Sequence, residues 1–221
     1  MKPEKFKVKI LEIKQLTDSV KHFVFSSGDF NFVPGQYASM ILDNSERKVR
    51  RPYSIASVPG KESFEIVIKL IENGLASPII DNLKVGDEVE FIGPMGEFVI
   101  ENEEKNLVFI STGTGIGPFR CMINYLIEKG FEKEIILFAG YRDKVLYDDE
   151  FKKLGERFNN FKYYSILSSS DGRVQKLLEK IPEKYDADFY VCGLKEMINS
   201  VRINLVKKGF KMKNIFSEKY D

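Results

Sequence analysis

Apolar and polar positions alternate through the first hundred residues. Residues 6–13 (FKVKILEI) repeat with a period of two, as a strand with one buried and one wetted face requires. Residues 22–27 (HFVFSS) and 64–71 (FEIVIKLI) follow the same habit. Residues 34–42 (PGQYASMIL) and 87–93 (DEVEFIG) are shorter runs of this kind, bounded by Pro, Gly and Asp. Successive short strands with turn signals predict an antiparallel barrel or sandwich. One short helix is expected after Ser77, through residues 78–83 (PIIDNL).

The rhythm changes near Glu101, after which residues 101–105 (ENEEK) form a charged link. Residues 107–111 (LVFIS) are then continuously apolar, like a strand buried on both faces. A Gly-rich turn follows, and residues 119–130 (FRCMINYLIEKG) carry helical spacing and end on Gly. Strands are expected over residues 134–140, 161–167, 188–193 and 214–220, and helices over residues 146–158, 173–181 and 195–209. Strands alternating with helices predict a doubly wound parallel sheet. The expected fold is thus an antiparallel β-barrel domain over residues 1–101 followed by an α/β domain over residues 102–221.

Composition narrows the function. The 34 basic and 33 acidic residues leave a net charge of +1, which argues against a general nucleic-acid binder. Cys121 and Cys192 form no CxxC pair, and His22 is the single histidine, so no metal centre is predicted. The two thiols point to a reduced, cytoplasmic chain. No apolar run is long enough for a transmembrane segment, and residues 1–10 (MKPEKFKVKI) lack the apolar core of a signal peptide. Nothing in the sequence fixes an oligomeric state.

Residues 111–118 (STGTGIGP) join the strand LVFIS to a helix. Glycines there let the backbone approach a phosphate, and the helix N-terminus supplies free N–H groups and a positive dipole end. Thr112 and Thr114 add hydroxyls, and Pro118 suits a first helical turn. No Lys follows the last Gly, so the turn is not a P-loop. Taken alone, it serves equally well as a tightly packed connection.

The turn belongs to an ordered set: Arg51-Pro52-Tyr53-Ser54, Gly74-Leu75-Ala76-Ser77, Gly93-Pro94-Met95-Gly96-Glu97-Phe98, the nucleotide turn, Val191-Cys192-Gly193 with Met197, and Glu218-Lys219-Tyr220. In this order, across nearly the whole chain, the set resembles the ferredoxin–NADP reductase family, in its short single-flavin form without an iron–sulfur domain. The resemblance implies an FAD-binding barrel, with FMN the lesser choice, and a nucleotide-binding domain that takes NADH or NADPH. It also implies hydride transfer from the nicotinamide to the flavin, and delivery of electrons to a redox protein or small-molecule acceptor. A subunit that transfers electrons only inside a larger complex is the alternative.

Roles follow residue by residue from that resemblance. Arg51 is expected on the flavin phosphate, where its planar fork suits phosphate oxygens. Tyr53 is expected against the isoalloxazine ring, with Pro52, Ile68 and Lys69 lining the flavin site. Gly74, Leu75, Ala76 and Ser77 should present backbone N–H groups to the diphosphate. Ser77 before Pro78 is also a good helix start in itself. Tyr220 is expected to cover the flavin, with Asp221 as an extra charge beyond it. Thr112, Gly113, Thr114, Gly115, Ile116, Gly117 and Pro118 should hold the nucleotide with Cys192, Gly193 and Met197. Ser54, Cys192 and Glu218 are expected around the reacting atoms. Cys192 has a second reading as a small buried hydrophobe. Cys121 is assigned to the core, and His22 to a structural or surface role.

The site for a 2′-phosphate should lie past residues 161–167. NADPH-using members of the family place a serine and then an arginine there. Here the chain reads Ser168-Ser169-Ser170-Asp171, with Arg173 two residues further and Arg142 after the preceding strand. A carboxylate suits a 2′-hydroxyl and repels a phosphate, so NADH is the preferred donor. Asp148, Asp149 and Glu150 are read as dipole-stabilising residues of a helix start.

Overall fold

The computed structural model describes residues 2–43 and 48–220. Two compact units emerge. One contains the residues through Val99 together with Arg120–Leu126, and the other contains Ile100–Phe119 and the residues from Ile127 onward.

The first unit is a six-stranded antiparallel sheet. Its strands are β1 (Glu4–Thr17), β2 (Val20–Ser26), β3 (Tyr37–Asp43), β4 (Lys48–Ser54), β5 (Ser63–Lys69) and β6 (Glu88–Met95), in the order β4-β3-β6-β1-β2-β5. A bridge between Ile55 and Ile66 brings the two edges together. It is reinforced by the Ala56 N–H, which donates to the Glu65 carbonyl at 2.8 Å. The sheet thereby curls into a barrel. β1 serves two partners: Glu4 to Lys9 pair with β6, and Ile10 to Thr17 pair with β2 through two register shifts. The alternating positions of the sequence become an aromatic core of Phe23, Phe25, Phe64 and Phe91, all fully buried.

β4 was not legible as a strand. Arg51–Ser54 forms its second half, and β4 is an edge strand, where Pro52 sacrifices no ladder hydrogen bond. The short helix α1 (Ser77–Asp81) is present, yet Ser77 does not cap it. Its hydroxyl accepts the Ile71 N–H at 2.7 Å and fastens the turn instead.

The second unit contains β7 (Asn106–Thr112), the ends of α2 (Ile116–Glu128), whose middle belongs to the first unit, β8 (Ile135–Tyr141), α3 (Asp148–Arg157), β9 (Phe161–Leu167), β10 (Ala187–Gly193), α4 (Lys195–Lys207) and β11 (Ile215–Lys219). All its strands are parallel, in the order β11-β10-β7-β8-β9. The chain winds outward from β7 to β9, then returns to β10 on the other side of β7. The gap between β7 and β10 is therefore the topological switch point, where open α/β sheets bind ligands at the carboxyl ends of their strands.

The helix expected over residues 173–181 is a 3-10 helix, Val174–Lys180. Its apolar positions were read correctly, since Val174, Leu177, Leu178 and Ile181 are buried. Only nine residues separate the turn at Gly172, with φ +114°, from Pro182. The tighter helix spans that distance with fewer residues per turn.

Candidate functional site

In the first unit, the expected flavin residues gather along β4 and the end of β5. The Ile55–Ile66 bridge lays the end of β4 beside β5 and carries Tyr53 and Ser54 toward Ile68 and Lys69. Tyr53 packs against the barrel core, and burial pushes its phenol up to about 12 while the Arg51 guanidinium pulls the other way. Arg51 is exposed, and its Nη1 donates to the neighbouring Arg50 carbonyl at 2.9 Å. Most of its fork remains available to an anion. The Ile68 side chain lies inside the core at 1% exposure, so only its main chain can face a ligand. Ser54 is buried and pairs with Tyr37. This donor set, a guanidinium beside a half-buried aromatic ring, fits a phosphorylated flavin.

In the second unit, the switch point gathers the expected nucleotide residues. Ser111 pairs with Cys192 across β7 and β10, and Cys192 pairs with Glu218 across β10 and β11. After Thr112 comes a 3-10 turn, Gly113–Gly115, that leads directly into α2. Gly113 has φ +57°, a left-handed conformation that favours glycine. A Cβ on Gly115 would stand 2.5 Å from the Cys192 carbonyl oxygen. One on Gly193, at φ +150°, would meet Thr112 Oγ1 at 2.4 Å and Met197 Cε at 2.7 Å. These glycines hold the turn against the end of β10.

The hydroxyls of Ser111 and Thr112 are buried without a hydrogen-bond partner. Thr112 occupies the cap position of the turn and does not use its hydroxyl there. Unsatisfied buried hydroxyls are costly, and a ligand that brought polar atoms to the strand end would satisfy them. The switch point therefore fits a nucleotide.

Cys192 is fully buried. Burial drives its thiol well above its ordinary range, and the Glu218 carboxylate pushes in the same direction. A hydrogen bond from the Tyr220 side chain opposes both. The Tyr220 N–H also donates to the Gly193 carbonyl at 2.9 Å. Cys192, Glu218 and Tyr220 thus form one cluster, with Cys192 a neutral thiol. Glu218 lies inside β11, and Asp221 lies outside the described residues.

Arg142 and the serines also meet. The Ser168 N–H donates to the Tyr141 carbonyl at 2.8 Å, and the Ser169 N–H donates to the Arg142 carbonyl at 3.2 Å. Arg142 lies 3.6 Å from Asp143 and is almost fully exposed. The Ser170 hydroxyl donates to Asp171 at 2.8 Å, and Arg173 is exposed. Asp148 begins α3 and is held by Lys152 at 2.6 Å and the Tyr163 hydroxyl at 3.1 Å.

Two features escaped the sequence reading. Ser111 opens the nucleotide turn, and its unpartnered hydroxyl beside Cys192 is signalled only by the one polar residue closing an apolar run. His22 is buried, with Nε2 3.5 Å from a Glu65 oxygen that also accepts from Arg120. Arg120 additionally donates to the Ala56 carbonyl at 2.8 Å. No local pattern marks that network, because its members are dozens of residues apart.

Residues 7–100 match the model of the oxidoreductase FAD-binding domain, and residues 109–202 match that of the oxidoreductase NAD-binding domain. The chain belongs to the ferredoxin–NADP reductase family. As a ferredoxin–NADP reductase-type protein it is a flavoprotein oxidoreductase, moving electrons between NAD(P)H and an acceptor through FAD. Ferredoxin–NADP reductase B of Sorangium cellulosum is 28% identical over 99% of this chain and 98% of its own length. The toluate 1,2-dioxygenase electron transfer component of Pseudomonas putida is 28% identical, and the match covers 97% of this chain and 67% of the relative. A ferredoxin NADP+ reductase from Neisseria gonorrhoeae, solved with FAD and NADP, shares the fold with a TM-score of 0.87. It is 20% identical, over 97% of this chain and 98% of that one. Among the described residues, no helix is long and apolar enough to cross a membrane, and no cluster of residues suited to a metal occurs.

Proposed function

We propose that this reductase takes its electrons from NADH in preference to NADPH and passes them to a ferredoxin-like protein, an oxygenase component or a small-molecule acceptor. Residues 1–101 form the flavin-binding domain and residues 102–221 the nucleotide-binding domain. The carrying observation is the cluster of Cys192, Glu218 and Tyr220 beside the unpartnered hydroxyls of Ser111 and Thr112. Bound FAD supplies a hydride acceptor that can release electrons to the next carrier.

The chain's own residues bind and orient. Arg51 takes the flavin phosphate and Tyr53 packs on the ring, with the backbone of Gly74–Ser77 at the diphosphate. The Thr112–Pro118 turn takes the nucleotide phosphates at the start of α2. Cys192 presents an uncharged, polarisable surface to the nicotinamide. Its raised thiol stays protonated, so no thiolate stands beside the ring to add to it when it is oxidised. Glu218 would set the polarity on the nucleotide side and Ser54 that on the flavin side, and Tyr220 would stand beside Cys192 as a ring available to stack on a cofactor.

The NADH preference rests on the surroundings of Ser168. Arg142 lies beside Asp143 there, and Ser170 donates to Asp171, so carboxylates accompany the cation a 2′-phosphate needs. Steady-state kinetics with both nucleotides test this directly, and a higher kcat/KM for NADPH overturns it. Rapid reduction of an artificial acceptor by the purified flavoprotein separates a free-standing enzyme from a subunit that needs its complex.

A further inference from the structure

The amino edge of the parallel sheet carries a second concave feature. It is a cavity of about 490 Å³ lined by Lys105, Lys184, Lys208, Lys211 and Lys213 against a single carboxylate, Asp186, with Tyr185 and Phe210 in its walls. It lies at the starts of β10 and β11, whereas Cys192 and Gly193 lie at the opposite end of β10. Seven strand residues separate the two ends, about 20 Å. The cavity is therefore distinct from the nucleotide turn.

Its charges are unevenly matched. Lys105 is held by the buried Asp188 at 3.1 Å and lies 4.0 Å from Asp186. Asp188 also accepts from Asn214 at 2.5 Å, so the buried carboxylate is already used. Among the described residues, Lys184, Lys208, Lys211 and Lys213 form no ion pair. Helix-end electrostatics account for Lys208, which caps α4. They do not account for Lys184, whose backbone sits at φ +55°, or for Lys211, both of which are outside the α-helices.

This chain has almost equal numbers of acidic and basic residues, so carboxylates were available to neutralise the cluster. Unpaired like charges around one cavity repel each other, and that repulsion is relieved by an anion. The volume is that of a small-molecule site rather than a flat protein interface. Its ring walls are firm: the Tyr185 hydroxyl is bonded to Glu134, and Phe210 packs on Phe189 at 4.6 Å. We propose that this cavity binds the condensed phosphate, di- or triphosphate, of a small molecule, at a site separate from the one that binds the electron-donating nucleotide.

The test is a titration of tripolyphosphate into the isotope-labelled, flavin-bound protein, followed through its amide resonances. Saturable shifts are expected at Lys184, Gly209 and Lys211, distinguishable from any at Gly113 and Gly193. Replacing Lys184, Lys211 and Lys213 by Gln should weaken that binding about tenfold or more. The same charge removed at Lys5, Lys7 and Lys14 should leave it unchanged. The proposal is overturned if millimolar tripolyphosphate produces no saturable shift at these amides, or if the Lys184, Lys211 and Lys213 variant, shown to be folded by circular dichroism, binds as the parent does. It is also overturned if only anionic phospholipid vesicles or an acidic peptide shift them.

Discussion

In the barrel unit the candidate site consists of side chains that project: a guanidinium on an edge strand and a tyrosine ring beside it. In the α/β unit it consists of side chains that are missing. Gly115 and Gly193 leave room for the backbone to close on Thr112 and Cys192, and the unsatisfied hydroxyls complete the arrangement. A projecting site can be removed by truncation without disturbing the fold. A site made of close backbone approach can be removed only by filling it, and filling it strains the sheet it is built on. The two halves should therefore fail differently when mutated.

The largest effect is expected from Gly115→Val. Its Cβ alone would enter the Cys192 carbonyl, so the turn must shift. Nucleotide-dependent flavin reduction should fall by about 100-fold or more, and the second unit should lose about 1–3 kcal/mol of stability. Stopped-flow reduction and denaturant melts measure both. Unchanged reduction would mean that the turn does not position the nucleotide.

Arg51→Ala should do the reverse. Flavin affinity should fall about 10- to 100-fold, the scale of a lost charge-assisted phosphate contact. Stability without flavin should change by about 0.5 kcal/mol or less, because the side chain is exposed. The checks are flavin content after gel filtration and a thermal melt of the stripped protein. Full flavin occupancy in the variant would sink the assignment.

The two thiols sharpen the comparison, since each unit buries one. Burial holds Cys121 at about 12 and Cys192 well above 9. Each thiol remains protonated in the folded chain while the unfolded chain begins to lose its proton near pH 9. The folded state then binds more protons, so stability falls as pH rises, from about pH 9 up to the folded value. Each thiol contributes a slope of up to about 1.4 kcal/mol per pH unit in that window. Cys121→Ala should flatten the alkaline stability curve by that amount and leave the slope below pH 8 unchanged. An identical alkaline slope in the variant would show that Cys121 is not protected by burial.

The smallest effect is expected at the exposed rim. Arg142→Ala should change kcat/KM for NADH by less than about threefold, since exposed ion pairs contribute little. A large loss confined to NADPH would identify Arg142 as a phosphate contact.

Much of this was legible in the sequence, for physical reasons. Alternation in residues 6–13 and 64–71 reports one buried face, and the apolar runs of β7 and β10 report two. β4 stayed hidden because Lys48–Ser54 carries three basic residues and a proline, with only Val49 and Ser54 buried. The 3-10 helix after Arg173 shares its apolar spacing with an α-helix, and periodicity cannot separate the two over seven residues. The turn at residues 111–118 was visible because glycine is chosen for backbone geometry. Its partners at Cys192, Glu218 and Tyr220 become neighbours only through the strand order β11-β10-β7, which spacing along the chain does not encode. The lysine cavity was invisible for the same reason: Lys105 and Lys184 join Lys208 to Lys213 only once β7, β10 and β11 lie side by side.

The divided pairing of β1 bears on how the chain is made. Its second half finds β2 across a turn of two residues and can zip as soon as both leave the ribosome. Its first half must wait for β6, some eighty residues later in synthesis. Until then Phe6 and Val8 sit on an open strand edge with nothing opposite them. The four lysines at positions 2, 5, 7 and 9 space out that stretch, and like charges on an open edge disfavour its pairing with the same edge of another copy.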